Sequence, residues 1–133
     1  MNTEFLQRYF VAGSQNFPDL TLPECEGRIA LMMQSGITAY QFREKNPTLS
    51  TDEKQALAMR LRAKARELAV PFIVDDDVAL AIAIEADGIH VGQDDMPITD
   101  VVAQVAGQMI VGLSVRNKAE MVAAQSVMGI DYL

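Results

Sequence analysis

The sequence predicts an α/β fold, a parallel sheet assembled from repeated β-α units, and three observations predict it. Short apolar runs alternate with longer segments of helical periodicity, with little linker between them. Three helix starts carry capping-box spacings, so the helices have defined beginnings. Polar and charged residues gather after the strands rather than before them. Strands separated by single helices run parallel, because a parallel pair needs a long crossover and not a hairpin turn.

The elements follow in order. A strand is expected at 8–13 (RYFVAG) and a helix over 22–35, with Thr21 and Glu24 at capping-box spacing. A second strand at 38–44 precedes a long helix over 52–69, opened by Ser50 and Glu53. A third strand at 71–75 (PFIVD) leads to a short helix over 77–84, where Asp77 is expected as cap rather than metal ligand. A fourth strand at 88–92 (GIHVG) precedes a helix at 98–106, and a fifth at 109–114 (MIVGLS) precedes one at 117–128. Asn117 with Glu120 is an Asn-led version of the capping box, and Gly36 and Gly129 stand where helices end in a left-handed residue. A sixth strand begins at Asp131-Tyr132-Leu133.

Five β-α units and the start of a sixth strand fit an open doubly wound sheet or part of an eight-stranded barrel. The open sheet favours a Gly-rich phosphate loop after the first strand, whereas VAGSQNFPDL has one glycine and no GxGxxG. A barrel collects its functional residues at the C-terminal ends of several strands, and such a distribution is present here.

Composition narrows the functional classes. The chain has 133 residues, half of them apolar and 22% charged, which suits one small domain with its own core. Eighteen acidic residues against eleven basic give a formal charge of -7, which argues against general nucleic-acid binding. The single cysteine, Cys25, excludes an internal disulfide and fits a reducing cytosol. No apolar run is long enough to span a bilayer and MNTEFLQRYF lacks the layout of a signal peptide, so a cytoplasmic protein without membrane partners is expected.

The stretch YQFREK, residues 40–45, is unusual for a strand in a buried sheet. Alternation puts Gln41, Arg43 and Lys45 on one face and Tyr40, Phe42 and Glu44 on the other. Arg43 offers a planar fork and Lys45 a point charge, a pair suited to phosphate oxygens. The third strand runs into Asp75-Asp76-Asp77, the fourth into Gln93, Asp94 and Asp95, and the fifth ends at Ser114, followed by Arg116. Asp76 and Asp95 lie one β-α unit apart, and magnesium characteristically takes one or two carboxylates plus substrate phosphates. Cations beside a magnesium site imply a diphosphate ligand. Each such residue taken singly is as readily a solvated loop residue, and it is the set that carries the reading. His90 is expected to support the site rather than ligate a metal, since no second His or Cys accompanies it.

YQFREK, PFIVDDDVALAIAIEADGIHVGQDDMP and IVGLSVRN together resemble thiamine-phosphate synthase, from Arg8 to Leu133. The resemblance implies a (β/α)8 TIM barrel, of which residues 1–133 form a single incomplete domain, the first five β-α units and the start of strand six. It implies a transferase of thiamine biosynthesis that joins a pyrimidine diphosphate to a thiazole phosphate. Thiamine phosphate and diphosphate are the products. By the same resemblance Gln41, Arg43 and Lys45 hold the pyrimidine diphosphate, and Asp75 contacts substrate beside the metal. Asp76 and Asp95 bind Mg2+, and Ser114 contacts the diphosphate or its product. Arg43, Lys45 and Ser114 are the catalytic group, acting on charge that grows on the leaving diphosphate, and a homo-oligomer is implied.

Two departures from the family pattern stand out. The family usually has Asn-Asp-Asp where this chain has Asp75-Asp76-Asp77. Further β-α units with the thiazole-phosphate site are expected beyond Leu133, and 133 residues alone are expected to be unstable because strand edges stay exposed. Two other functions compete with the synthase. One is a thiazole tautomerase-like paralogue, the other a non-catalytic diphosphate-binding half-barrel.

Overall fold

The computed structural model describes residues 2–105 and 107–133. The strands follow the order β1-β2-β3-β4-β5, and the chain divides into two compact units, Asn2–Ile73 and Val74–Leu133.

In the first unit a 3-10 turn at Glu4–Leu6 precedes β1 (Tyr9–Ala12), and a second at Ser14–Asn16 precedes α1 (Leu22–Met33). Strand β2 (Ala39–Phe42) and helix α2 (Thr51–Glu67) follow, leading into β3 (Phe72–Asp75). Strands β1 and β2 pair in parallel from Tyr9 opposite Ala39 to Ala12 opposite Phe42. The Tyr40 N–H donates to the Pro71 carbonyl at 3.0 Å, tying β2 to the start of β3. Phe72 packs edge-on to Tyr40 at 5.5 Å and stacks with Phe42 at 5.9 Å between ring centres. Ile29 of α1 and Leu57 and Leu61 of α2 are likewise fully buried. The Tyr40 hydroxyl, deep in this core, donates to the Ala12 carbonyl at 2.8 Å, which satisfies a polar atom whose burial would otherwise be costly.

Local chemistry accounts for the helix ends. Ser50 and Glu53 form the full reciprocal box, the Ser50 hydroxyl accepting from the Glu53 N–H at 3.1 Å and Glu53 from the Ser50 N–H at 3.2 Å. Thr21 accepts from the Glu24 N–H at 3.3 Å. Gly36 has φ +94°, the left-handed conformation expected past a helix end.

The second unit takes the end of β3 and continues with α3 (Val78–Ala83), β4 (Gly88–Val91), α4 (Ile98–Val105), β5 (Ile110–Leu113) and α5 (Lys118–Gln125). The Asp76 N–H donates to the His90 carbonyl at 2.7 Å, and β4 pairs with β5 in parallel from Gly88 opposite Ile110 to Val91 opposite Leu113. Ile89, Val91, Val101 and Val105 are fully buried. The expected sixth strand begins as a single parallel bridge between Gly112 and Tyr132. Among the described residues no helix is long and apolar enough to cross a membrane.

Every element of the expected series is present, but several are shorter than periodicity suggests. Strand β2 stops at Phe42 and not at residue 44, and α5 stops at Gln125 and not at residue 128. At Asn117 the cap forms, its Oδ1 accepting from the Glu120 N–H at 2.9 Å, yet Glu120 does not return to the cap residue. Its carboxylate takes the Arg116 N–H at 2.7 Å and the Arg116 guanidinium at 2.9 Å. A charged donor one residue upstream outcompetes the neutral N–H of the cap.

Candidate functional site

The cationic group belongs to the first unit. Past Phe42 the chain leaves the strand, yet its alternation persists in burial: Glu44 is 6% exposed while Arg43 and Lys45 are exposed. Gln41 is buried along with the other three residues of β2, so both faces of this strand are covered. Its Nε2 donates to the Tyr9 hydroxyl at 3.0 Å, so the amide has a fixed partner.

What holds Arg43 and Lys45 is the loop after β1. The Arg43 N–H donates to the Ala12 carbonyl at 3.2 Å, one step beyond the β1–β2 pairing. Gln15 then acts as a substitute strand edge. Its Nε2 donates to the Arg43 carbonyl at 2.5 Å and its Oε1 accepts the Lys45 N–H at 2.9 Å. The buried Glu44 carboxylate accepts from the Ser14 N–H, the Ser14 hydroxyl and the Asn46 N–H. A Cβ at Gly13 would collide with the Arg43 carbonyl, so only glycine admits this approach. Gln15, Ser14 and Glu44 are thus positioning residues that pattern reading missed. The lone glycine after β1 was their one visible signal.

The acidic group belongs to the second unit and sits at the ends of β3, β4 and β5. Asp76 has φ +67°, and the Asp77 N–H donates to the Asp75 carbonyl at 2.7 Å across it, a tight three-residue turn of the strained hand. Strain of this kind persists where surrounding structure over-determines it, characteristically at functional sites. Asp77 spends its carboxylate on capping α3, accepting from the Leu80 N–H at 3.0 Å, as expected. Asp95 Oδ2 accepts the Gly92 N–H at 2.7 Å, which fixes that carboxylate at the mouth of the loop.

Ser114 follows β5 directly and is exposed. Its N–H donates to the Val91 carbonyl at 2.9 Å, its carbonyl accepts Gln93 Nε2 at 3.0 Å, and its hydroxyl lies 2.7 Å from His90 Nε2. Burial lowers the proton affinity of His90, against the opposing pull of Asp75 and Asp95. Arg116 is held by Glu120 and lies 3.6 Å from Asp94.

Among the described residues no cluster of three or more His, Cys, Asp or Glu side chains is placed to hold a metal. Two carboxylates from successive β-α units are nevertheless the donor set magnesium takes when phosphate and water complete its shell. A cavity of about 370 Å³ in the second unit lies elsewhere, lined by Asp87, Val105, Met109, Ile110 and Asp131 at the opposite ends of β4 and β5. None of the chemistry above borders it.

Comparison with known proteins places the chain in a family. The thiamine monophosphate synthase family model matches residues 8–133. A thiamine-phosphate synthase of Levilactobacillus brevis is 51% identical over 130 residues, covering 96% of this chain and 58% of the relative. One of Lactococcus lactis subsp. cremoris is 48% identical, covering 96% and 59%. The solved structure of thiamine phosphate pyrophosphorylase from Pyrococcus furiosus superposes with a TM-score of 0.79 at 28% identity, covering 98% of this chain and 60% of that one. The chain therefore spans about three-fifths of the length of these relatives. It belongs to the thiamine monophosphate synthase family.

Proposed function

We propose that this family member is a transferase joining hydroxymethylpyrimidine diphosphate to thiazole phosphate, with thiamine phosphate and diphosphate as products. The observation that carries the reading is kinship along residues 8–133 with a family of that name. The chemistry of the two residue groups supports it.

The reaction needs charge stabilisation and no nucleophilic side chain. The bond between the pyrimidine methylene and the diphosphate oxygen breaks, and its electron pair leaves with the diphosphate. The thiazole nitrogen lone pair then forms the new C–N bond to the methylene carbon, with no proton transferred. Arg43 and Lys45 offer their charge to the oxygens that gain it, and Ser114 offers a hydroxyl. The backbone of Arg43 and Lys45 is held through Gln15 and Glu44 before any ligand arrives, so little reorganisation is needed there during the reaction. Gln41, already held by Tyr9, orients the pyrimidine diphosphate. Asp76 and Asp95 are the residues assigned to hold Mg2+, which when bound neutralises diphosphate charge. Asp75 is assigned a contact with substrate beside that ion.

The test offers the full-length protein two substrate sets. The reading expects thiamine phosphate from pyrimidine diphosphate, thiazole phosphate and magnesium, and no isomerisation of a thiazole carboxylate phosphate. Isomerisation alone would assign the protein to a tautomerase-like branch. Diphosphate binding without turnover of either set would make it a non-catalytic binding protein.

A further inference from the structure

Two residues of the second unit that the reaction above leaves unused, Tyr132 and His90, form a chain that ends on Ser114. The Tyr132 hydroxyl lies 3.0 Å from His90 Nδ1, and His90 Nε2 lies 2.7 Å from the Ser114 hydroxyl. We infer that Tyr132 and His90 are positioning residues that turn Ser114 into a hydrogen-bond donor toward an anionic ligand. The inference rests on the reading of Ser114 as a diphosphate contact.

A neutral imidazole has one N–H and one bare nitrogen, so the two contacts are coupled. If Nδ1 carries the proton, it donates to Tyr132, and the Ser114 hydroxyl must spend its own proton on Nε2. Only oxygen lone pairs would then face outward, and they would repel an anion. If Tyr132 donates to Nδ1, Nε2–H donates to Ser114, and the serine proton is released outward. A phenol, with a pKa near 10, is a far better donor than an aliphatic alcohol and a weaker acceptor. The second arrangement is therefore the favoured one. A protonated ring gives the same outcome, since both nitrogens then donate, so nothing here depends on titration of His90.

The backbone is shaped for this chain. A Cβ at Gly112 would collide with the Tyr132 ring and stand 2.5 Å from His90 Nδ1. Glycine at that position leaves the two side chains room to meet. The Leu113 N–H donates to the Tyr132 carbonyl at 3.1 Å, which sets the tyrosine beside β5. The His90 and Tyr132 rings lie 5.4 Å apart between centres.

The tautomer is read directly by long-range 1H–15N correlation on the full-length protein labelled with 15N-histidine. The His90 signals are assigned by their loss in His90→Gln. The expected result is protonated Nε2 and bare Nδ1, shifting toward the other tautomer in Tyr132→Phe. Binding of inorganic diphosphate with magnesium should weaken about three- to tenfold in Tyr132→Phe, the scale of one hydrogen bond. Adding Tyr132→Phe to Ser114→Ala should cost nothing more, because the relay acts only through that hydroxyl. A bare Nε2 in the wild type, or additive losses in the double variant, would overturn the relay. Diphosphate binding indifferent to Ser114→Ala would instead overturn the ligand assignment of Ser114, while the tautomer still decides the relay.

Discussion

Glu44 takes both hydrogen bonds that Ser14 has to give, the backbone N–H on Oε1 at 2.9 Å and the hydroxyl on Oε2 at 2.6 Å. The carboxylate is buried between the two residues assigned to the diphosphate, Arg43 and Lys45, and also accepts the Asn46 N–H at 3.2 Å. It pins the loop after β1 to the loop after β2 and so shapes the cationic group from behind.

Replacing Glu44 by Ala strands those donors in a buried place, at about 2–3 kcal/mol. Ser14→Ala removes only the hydroxyl and should lose about 1 kcal/mol. Urea unfolding of the full-length variants checks both, and equal losses would show that the carboxylate is not the anchor.

Gly13→Ala should be worse than its small size suggests, because the new methyl meets the Arg43 carbonyl, a backbone atom that cannot swing aside. Overpacking of this kind costs roughly 1–3 kcal/mol. Displacement of Arg43 should also raise KM for the pyrimidine diphosphate. A variant with unchanged stability and KM would contradict the close approach.

Asp75 stands where the family usually has Asn, which puts a carboxylate beside the proposed diphosphate position. Asp75→Asn should tighten diphosphate binding by about 1 kcal/mol, roughly fivefold, the size of one unit charge seen through a partly aqueous medium. Calorimetric titration with diphosphate and magnesium measures it. Weaker binding in the variant would mean that Asp75 works with the metal rather than against the anion.

Glu120 titrates below the usual glutamate value of 4.5, first because the Arg116 side chain donates to it and then because the Arg116 N–H does. For a depressed carboxylate the stabilisation is complete above the usual value and is lost as pH falls through the depressed one. Carbon-detected NMR titration should find a midpoint below 4.5, rising in Arg116→Ala but short of the usual value, because the backbone bond survives. An unchanged midpoint in that variant would remove the guanidinium as the cause.

The parts of this fold that rest on neighbouring residues were legible in the sequence. The Ser50–Glu53 box, the left-handed Gly36 and Gly129 and the Asp77 cap all act within a few positions of themselves. The residues after β3, β4 and β5 were legible as a set, because parallel strands end on one side. The contacts that support Arg43, Lys45 and His90 were not. Gln15 reaches Arg43 and Lys45 across 28 and 30 positions, and Tyr132 reaches His90 across 42, distances over which periodicity carries no signal. The early end of β2 has the same origin, since side chains of the first loop replace a neighbouring strand as partners for residues 43 and 45. Alternation put Gln41 on one face with Arg43 and Lys45, and its burial beside the Tyr9 hydroxyl was not legible. Alternation names two faces and does not say that both are covered.

The central claim is that the carboxylates after β3 and β4 serve a magnesium-dependent transfer, and Asp95→Asn addresses it most directly. The amide retains an oxygen for the Gly92 N–H and removes only the charge. The measurement is the rate of thiamine phosphate formation by full-length wild type and variant across a magnesium titration, with folding checked by circular dichroism. The account predicts magnesium-dependent product from the wild type and a loss of about 10²-fold or more in a folded variant. A folded variant as active as the wild type, or a wild type indifferent to magnesium, would contradict it.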